Sequence, residues 1–157
     1  MDLTHVPSPV LATKCSPLKA GDLKSGVYTK LVMDMKETML KHDGIGLAAP
    51  QVGHDLALFV IDDKLATEYE VPSVYANPEI TDYGSESDEL EEGCLSIPGF
   101  WTPIGRAKKI MFKALNAEGK KIKFRARGML ARVLQHETDH VYGRTIQDRS
   151  KKSGSPK

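Results

Sequence analysis

Five consecutive residues, His136-Glu137-Thr138-Asp139-His140, carry the sharpest chemical signal in the chain. On a helix, positions i and i+4 lie about 40° apart, so His136 and His140 share a face and two imidazoles can hold one metal ion. Glu137, one position on, reaches a water beside such an ion without being a ligand. This is the H-E-x-x-H arrangement, with two ligands and a general base on one helix. Each imidazole needs an acceptor on its second ring nitrogen to fix the tautomer. Asp139, on the flank, is placed for a supporting role.

A hydrolytic metal site takes three protein ligands and keeps one position open. Downstream of His140 the chain offers no His, Cys or Glu, only Asp148. The third ligand therefore comes from upstream or is absent. Cys94, in Glu92-Gly93-Cys94-Leu95-Ser96, is the candidate, because a thiolate binds soft and borderline ions strongly. Alone, Cys94 would read as a small buried hydrophobe; beside the helix motif the ligand reading prevails. Cys15 has no partner motif and keeps the bland reading. A Cys-His-His set is compatible with Zn, Fe, Co or Ni.

A third stretch, Gly44-Ile45-Gly46-Leu47-Ala48-Ala49-Pro50-Gln51, has glycines on both sides of Ile45 that permit close approach by another backbone. It lacks the Gly-Lys-Ser/Thr of a phosphate loop. The Gln51 side-chain amide is a neutral donor able to hold a carbonyl oxygen as it becomes an oxyanion.

These residues need elements to position them. Val27, Leu31, Met35 and Met39, with Val32 beside them, predict a helix that starts near Asp22 or Ser25 and stops at Asp43-Gly44. The apolar run Leu56 to Ile61 suits a buried strand, and Ser73 to Asn77 and Glu79 to Tyr83 are two further strand candidates around Pro78. Ser85 to Glu92 holds five carboxylates in eight residues and is expected to be solvated. Lys109 to Leu115 and Lys121 to Ala126 predict a hairpin whose inner side carries Ile110, Phe112 and Ala114. Met129 to Tyr142 returns to helical spacing, with Met129, Leu130, Val133, Leu134 and Val141 on its buried side. The first twenty residues read as an extended arm, and 150–157 as a disordered tail. Strands in the middle with a helix at each end predict an α+β fold in a single domain spanning 1–157.

Composition narrows the class. With 22 Lys and Arg against 21 Asp and Glu, the net charge of +1 is no basis for a wholly basic DNA-binding domain. No 18-residue apolar stretch spans a membrane. No secretory signal is expected, and two cysteines do not make a disulfide scaffold, so a cytoplasmic monomer is the expectation.

The three segments Gly44 to Gln51, Glu92 to Ser96 and Gln135 to His140, in this order, resemble the G-x-G-L-A-A-P-Q, E-G-C-L-S and Q-H-E-x-D-H signatures of the peptide deformylase family. The likeness extends to Asp34 through Met39, Asn77-Pro78 and Gly128 to Arg132, from about Val6 to Ile146. The E-G-C-L-S form is that of the bacterial and organellar type. The resemblance implies mixed or antiparallel β-sheets wrapped around a central metal-binding helix, with a helix near the N-terminus. It implies removal of the formyl group from N-formylmethionine of newly made polypeptides. Cys94, His136 and His140 are then the metal ligands, with Fe2+ in the cell and Zn2+ or Ni2+ as substitutes. Glu137 is the base and then the acid, while Gln51 and the Leu95 backbone N–H hold the formyl oxygen. Ile45 and Gly46 pair with the peptide as a short strand, a β-addition mode. Gly93 borders the substrate, and Ile45, Met129 and Val133 line the methionine pocket.

Other residues give weaker expectations. Family members of this type carry a further helix after the metal helix, and with 17 residues after His140 that helix is expected to be missing or vestigial, which weakens any ribosome contact. Arg144, Arg149, Lys151, Lys152 and Lys157 read as a solvated basic tail. Asp43 and Arg106 read either as a pair beside the site or as ordinary surface residues. Trp101 is either a pocket-mouth residue or a surface-packed aromatic.

Overall fold

The computed structural model describes residues 1–152, the side chains of 151 and 152 excepted. The N-terminal arm lies along the body. Thr4 N–H donates to Gln51 O, Val6 N–H to Ser96 O and Cys15 N–H to Val141 O. Leu11 and Leu18 are buried beneath it.

The predicted first helix is two helices, α1 (Ala20–Ser25) and α2 (Thr29–Lys41). Gly26 separates them with φ +84°, a left-handed cap whose N–H returns to Asp22 O and Leu23 O. Val27 therefore sits in the connection, 66% exposed, and Leu23 takes the buried place instead. Met35 and Met39 are buried as predicted, while Asp43 rather than Gly44 adopts the left-handed turn after α2.

Five strands form one antiparallel sheet in the order β1 (Gly46–Ala48), β2 (Leu58–Ile61), β3 (Val74–Tyr83), β6 (Lys109–Leu115) and β7 (Lys121–Arg127). A second sheet pairs β4 (Ser87–Cys94) with β5 (Ile97–Ala107), and α3 (Asp63–Glu68) links β2 to β3. The two strand candidates around Pro78 are one strand, because a register shift between Ala76 and Glu79 absorbs the proline. At that bulge Asn77 takes φ +51°, and its side chain accepts from Leu18 N–H and donates to Leu18 O, both at 2.8 Å. The β6–β7 hairpin forms as predicted, with Ile110, Phe112 and Ala114 buried, and pairs Lys109 with Arg127 through to Leu115 with Lys121. Phe59, Tyr75, Phe112 and Phe124 stack from four adjacent strands at centroid distances of 5.2–6.3 Å. Such pairs add roughly 0.5–1.5 kcal/mol each beyond their burial.

Helix α4 (Gly128–Val141) follows β7 directly and touches both sheets, so it is buried nearly all round. The α+β class, the antiparallel sheets and the central helix are as expected. The C-terminal segment is helical, not disordered, up to residue 152. Ile146–Lys152 forms α5, with Ile146 1% exposed against β5, and only 153–157 of the expected disordered tail lie outside the described residues.

Candidate metal centre and active site

Buried polar side chains on α4 need partners, because an unpaired buried charge costs several kcal/mol. Most have them. Gln135 donates to Ala107 O and Ala131 O and accepts from Ala107 N–H. Arg132 donates to Glu92 at 2.6 Å, Ile104 O at 3.0 Å and Asp88 at 2.9 Å. Asp139 accepts from Arg106 at 2.6 Å and from Arg149 at 2.7 Å. Apart from Thr138, whose buried Oγ1 has no partner, the polar side chains of α4 left to account for are His136, Glu137 and His140.

These three converge with Cys94. The ligand atoms of Cys94, His136 and His140 all lie within 4.8 Å of one another. Cys94 Sγ is 3.3 Å from His140 Nε2. Strand β4 delivers the cysteine at its last residue, where a register shift between Gly93 and Cys94 turns the chain into Leu95-Ser96. Burial opposes ionisation of this thiol, but the His140 charge and hydrogen bonds from both histidines win and hold it down to about 5. His136 is likewise desolvated, yet Cys94 and Glu92 push it up to about 10. An anionic sulfur and protons shared with two imidazoles occupy the place where a divalent cation would displace those protons. The soft sulfur, the two nitrogens and their spacing fit such an ion.

His136 Nδ1 donates to Glu92 Oε1 at 2.9 Å, which turns Nε2 toward the cysteine. The acceptor expected for His140 is absent among the described residues, because its buried Nδ1 has no partner. Glu92 corrects the sequence reading most. It was expected to be solvated with its acidic neighbours, and it is 7% exposed. Arg106 grips both its oxygens at 2.9 Å, from Nε and Nη2. Arg106 thus pairs with Glu92 and Asp139, not with Asp43, and Arg149 of the expected solvated set is half-buried on Asp139. Alternation offered the missing signal: on a strand, Glu92 and Cys94 point to the same face.

Burial works against the Glu92 and Asp139 carboxylates, but their arginines outweigh it and hold both below the usual range. A depressed carboxyl pKa stabilises the fold above the unfolded value and loses that contribution as pH falls. We therefore expect the melting temperature of the metal-free chain to drop as pH falls from about 5 to 3. A flat profile across that interval would show the network to be energetically idle.

Glu137 is 3% exposed, with Oε1 unpartnered. Burial is the largest influence on it and, against the pull of His136 and His140, raises its pKa. Gly46 of β1 lies against it so closely that a Cβ would sit 2.6 Å from Glu137 Oε2. A Gly46→Ala substitution should displace the carboxylate and cost about 100-fold in turnover, as misplacement by about 1 Å can. Unchanged turnover with an intact fold would free Gly46 from that constraint.

Gln51 is 2% exposed and aimed by its own turn. Its Oε1 accepts from Ala48 N–H at 2.9 Å, and its Nε2 faces Cys94 Sγ at 3.5 Å and Ser96 Oγ at 3.3 Å. A cavity of about 1080 Å³ brings together Ile45, Gly46, Gln51, Gly93, Cys94, Leu95, Met129, Val133, His136 and Glu137. His140 is buried behind it. Met129, expected on the buried side of the helix, is 45% exposed and joins half-exposed Ile45 at the mouth. Trp101 lines the same mouth, 66% exposed, and packs on Gly93, where a Cβ would stand 2.7 Å from the indole. The buried Cys15 thiol is pushed up to about 11, chiefly by desolvation, and takes no part.

A family profile described as polypeptide deformylase matches residues 1–155. The peptide deformylase of Dictyoglomus thermophilum is 44% identical over 150 residues, covering 95% of this chain and 92% of that protein. The crystal structure of peptide deformylase from Thermotoga maritima superposes with a TM-score of 0.84 at 37% identity, covering 94% of this chain and 95% of that one. A class I type b peptide deformylase from Acinetobacter baumannii, solved with Met-Ala-Ser bound, gives 0.84 at 30% identity over 95% of this chain and 97% of that one.

Proposed function

The chain belongs to the polypeptide deformylase family, and on that premise we propose how its residues divide the work. It is a hydrolase that removes the N-formyl group from newly made polypeptides. The observation that carries the assignment of roles is the convergence of Cys94, His136 and His140 beside a buried, unpartnered Glu137.

Cys94, His136 and His140 hold one divalent ion, Fe2+ in the cell, with Zn2+ or Ni2+ able to replace it. The ion supplies Lewis acidity and lowers the pKa of water toward about 7. Glu137, its pKa raised by burial, takes a proton from the attacking water and returns it to the departing amine nitrogen. Gln51 Nε2 and the Leu95 N–H donate to the formyl oxygen as negative charge grows on it. The Gln51 amide needs no reorientation for this, because Ala48 N–H already fixes its oxygen. Ile45 and Gly46 pair with the peptide backbone alongside β1, and Gly93 borders it on the opposite lip. Ile45, Met129 and Val133 receive the methionine side chain, and the Acinetobacter baumannii relative was solved with a peptide that begins with methionine, Met-Ala-Ser.

Among the described residues no helix is long and apolar enough to cross a membrane. We place the enzyme in the cytoplasm, as a monomer acting through one catalytic domain on N-formylmethionyl nascent chains near the ribosome. The test is formate release from a formyl-Met tripeptide by protein purified without oxygen, with the acetyl-Met tripeptide as control. Formyl-selective turnover is expected. Equal turnover of both, or none from metal-loaded protein, would overturn the assignment.

A further inference from the structure

Charge is strongly segregated in this nearly neutral chain. Residues 108–127 hold eight of its 22 basic residues and one of its 21 acidic ones, leaving fourteen basic against twenty acidic elsewhere. The β6–β7 hairpin turns these cations to one side. Its inner positions are apolar, while Lys109, Lys113, Lys121, Lys123, Arg125 and Arg127 are exposed on the outer face. Alternate residues on a strand recur about every 6.8 Å, so β7 alone presents a row of four cations roughly 20 Å long.

The register makes this face costly for the fold. Lys109 stands directly opposite Arg127, and Lys113 opposite Lys123. Like charges so opposed destabilise a sheet. Among the described residues the only ion pair formed by these cations is Lys113 with Glu79, at 3.5 Å, and Asp82, opposite Met111, is the other acid of β3 on this face. Protection of an exposed edge strand accounts for cations on β7. It does not account for the opposed cations on β6, which is internal to the sheet. A row of fixed cations with little internal neutralisation is the footprint of a polyanion with regularly spaced charges.

The hairpin is also joined to the catalytic cleft. Arg127 caps the start of α4, and Met129, two residues on, lines the cleft mouth. The other lip carries exposed Glu89 and Glu91 on β4, which disfavour the same polyanion there. The enzyme acts on newly made polypeptides, which emerge from an RNA-rich surface. We infer that the outer face of the β6–β7 hairpin binds the phosphate backbone of RNA and sets the cleft beside it.

The test is fluorescence anisotropy of metal-loaded protein with a labelled 20-base-pair RNA duplex between 50 and 200 mM salt. Binding should weaken with salt with a log–log slope of about −3 to −5. The Lys121→Glu, Lys123→Glu, Arg125→Glu triple variant should bind at least about tenfold more weakly at the lowest salt, with a slope smaller by about 2 to 3. Its turnover of a free formyl peptide should be unchanged, which separates this inference from the catalytic one. A Lys30→Glu, Lys64→Glu variant, altered on other exposed surface, should bind RNA as the parent does. Absence of salt-dependent binding, or equal loss in both variants, would overturn the proposal. Equal or tighter binding to phosphatidylserine vesicles would overturn the choice of RNA.

Discussion

Replacing Glu137 by Gln should leave metal content at one ion per chain and reduce deformylation by about 10³-fold, within the 10²–10⁴ range of general acid–base catalysis. The substitution keeps shape and hydrogen-bonding reach but removes proton acceptance. Glu137 lies next to His136 in sequence and packs on Gly46, yet among the described residues it forms no ion pair and its Oε1 has no partner. It is not placed to support the fold. Stability should move the opposite way to activity. A carboxyl group whose pKa is raised on folding weakens the fold as pH rises above its unfolded value of about 4.5. With the metal removed, the Gln variant should therefore melt higher than the parent at pH 7, and the gap should close near pH 4. Metal analysis and formate release on the loaded proteins, with melting curves on the metal-free ones, decide the matter. Metal lost together with activity would undo the role given to Glu137.

Cys94→Ala should abolish turnover by removing the ion. Changes to groups that merely orient a ligand cost about 10–100-fold in metal affinity, and loss of a direct ligand should exceed that. The electrostatics of the site sharpen the expectation. The Cys94 thiolate helps keep His136 protonated in the metal-free chain, and the two imidazole rings are only 5.0 Å apart. Without the anion the buried imidazolium loses an opposing charge and a hydrogen-bond partner, so the His136 pKa should fall from about 10 toward the ordinary histidine range. Histidine NMR titration of the metal-free variant reads that shift, and metal analysis reads the affinity. A Cys94→Ala protein that keeps its metal and its rate would remove sulfur from the ligand set.

The chemistry-bearing residues were legible because their spacing is local. His140 follows His136 by four positions on a helix whose existence the apolar period already required, and Glu137 follows from that period without further information. The hairpin was equally legible, since strand alternation and a turn are contained within twenty residues. Short-range geometry also favoured Cys94 and Gln51 as candidates, each inside a segment whose glycines signalled close backbone approach.

What could not be read locally is which polar groups the fold buries. Five carboxylates in eight residues predict a solvated segment, and four of them do face water. The fifth, Glu92, is turned inward by strand alternation and meets Arg106 from β5 and Arg132 and His136 from α4. Those partners are 14, 40 and 44 residues away, and no window along the chain contains them. For the same reason Met129 followed the apolar period of its helix and yet opens onto the cleft, because the period marks a face without saying whether protein or substrate covers it. Sequence by itself singled out Cys94, His136, Glu137 and His140 and determined the helix that carries three of them, since helical and strand periods are properties of the chain alone. Tertiary structure decided the buried ionic network behind His136, the orientation of Gln51 and the walls of the cleft, because each depends on which distant segments displace water from one another.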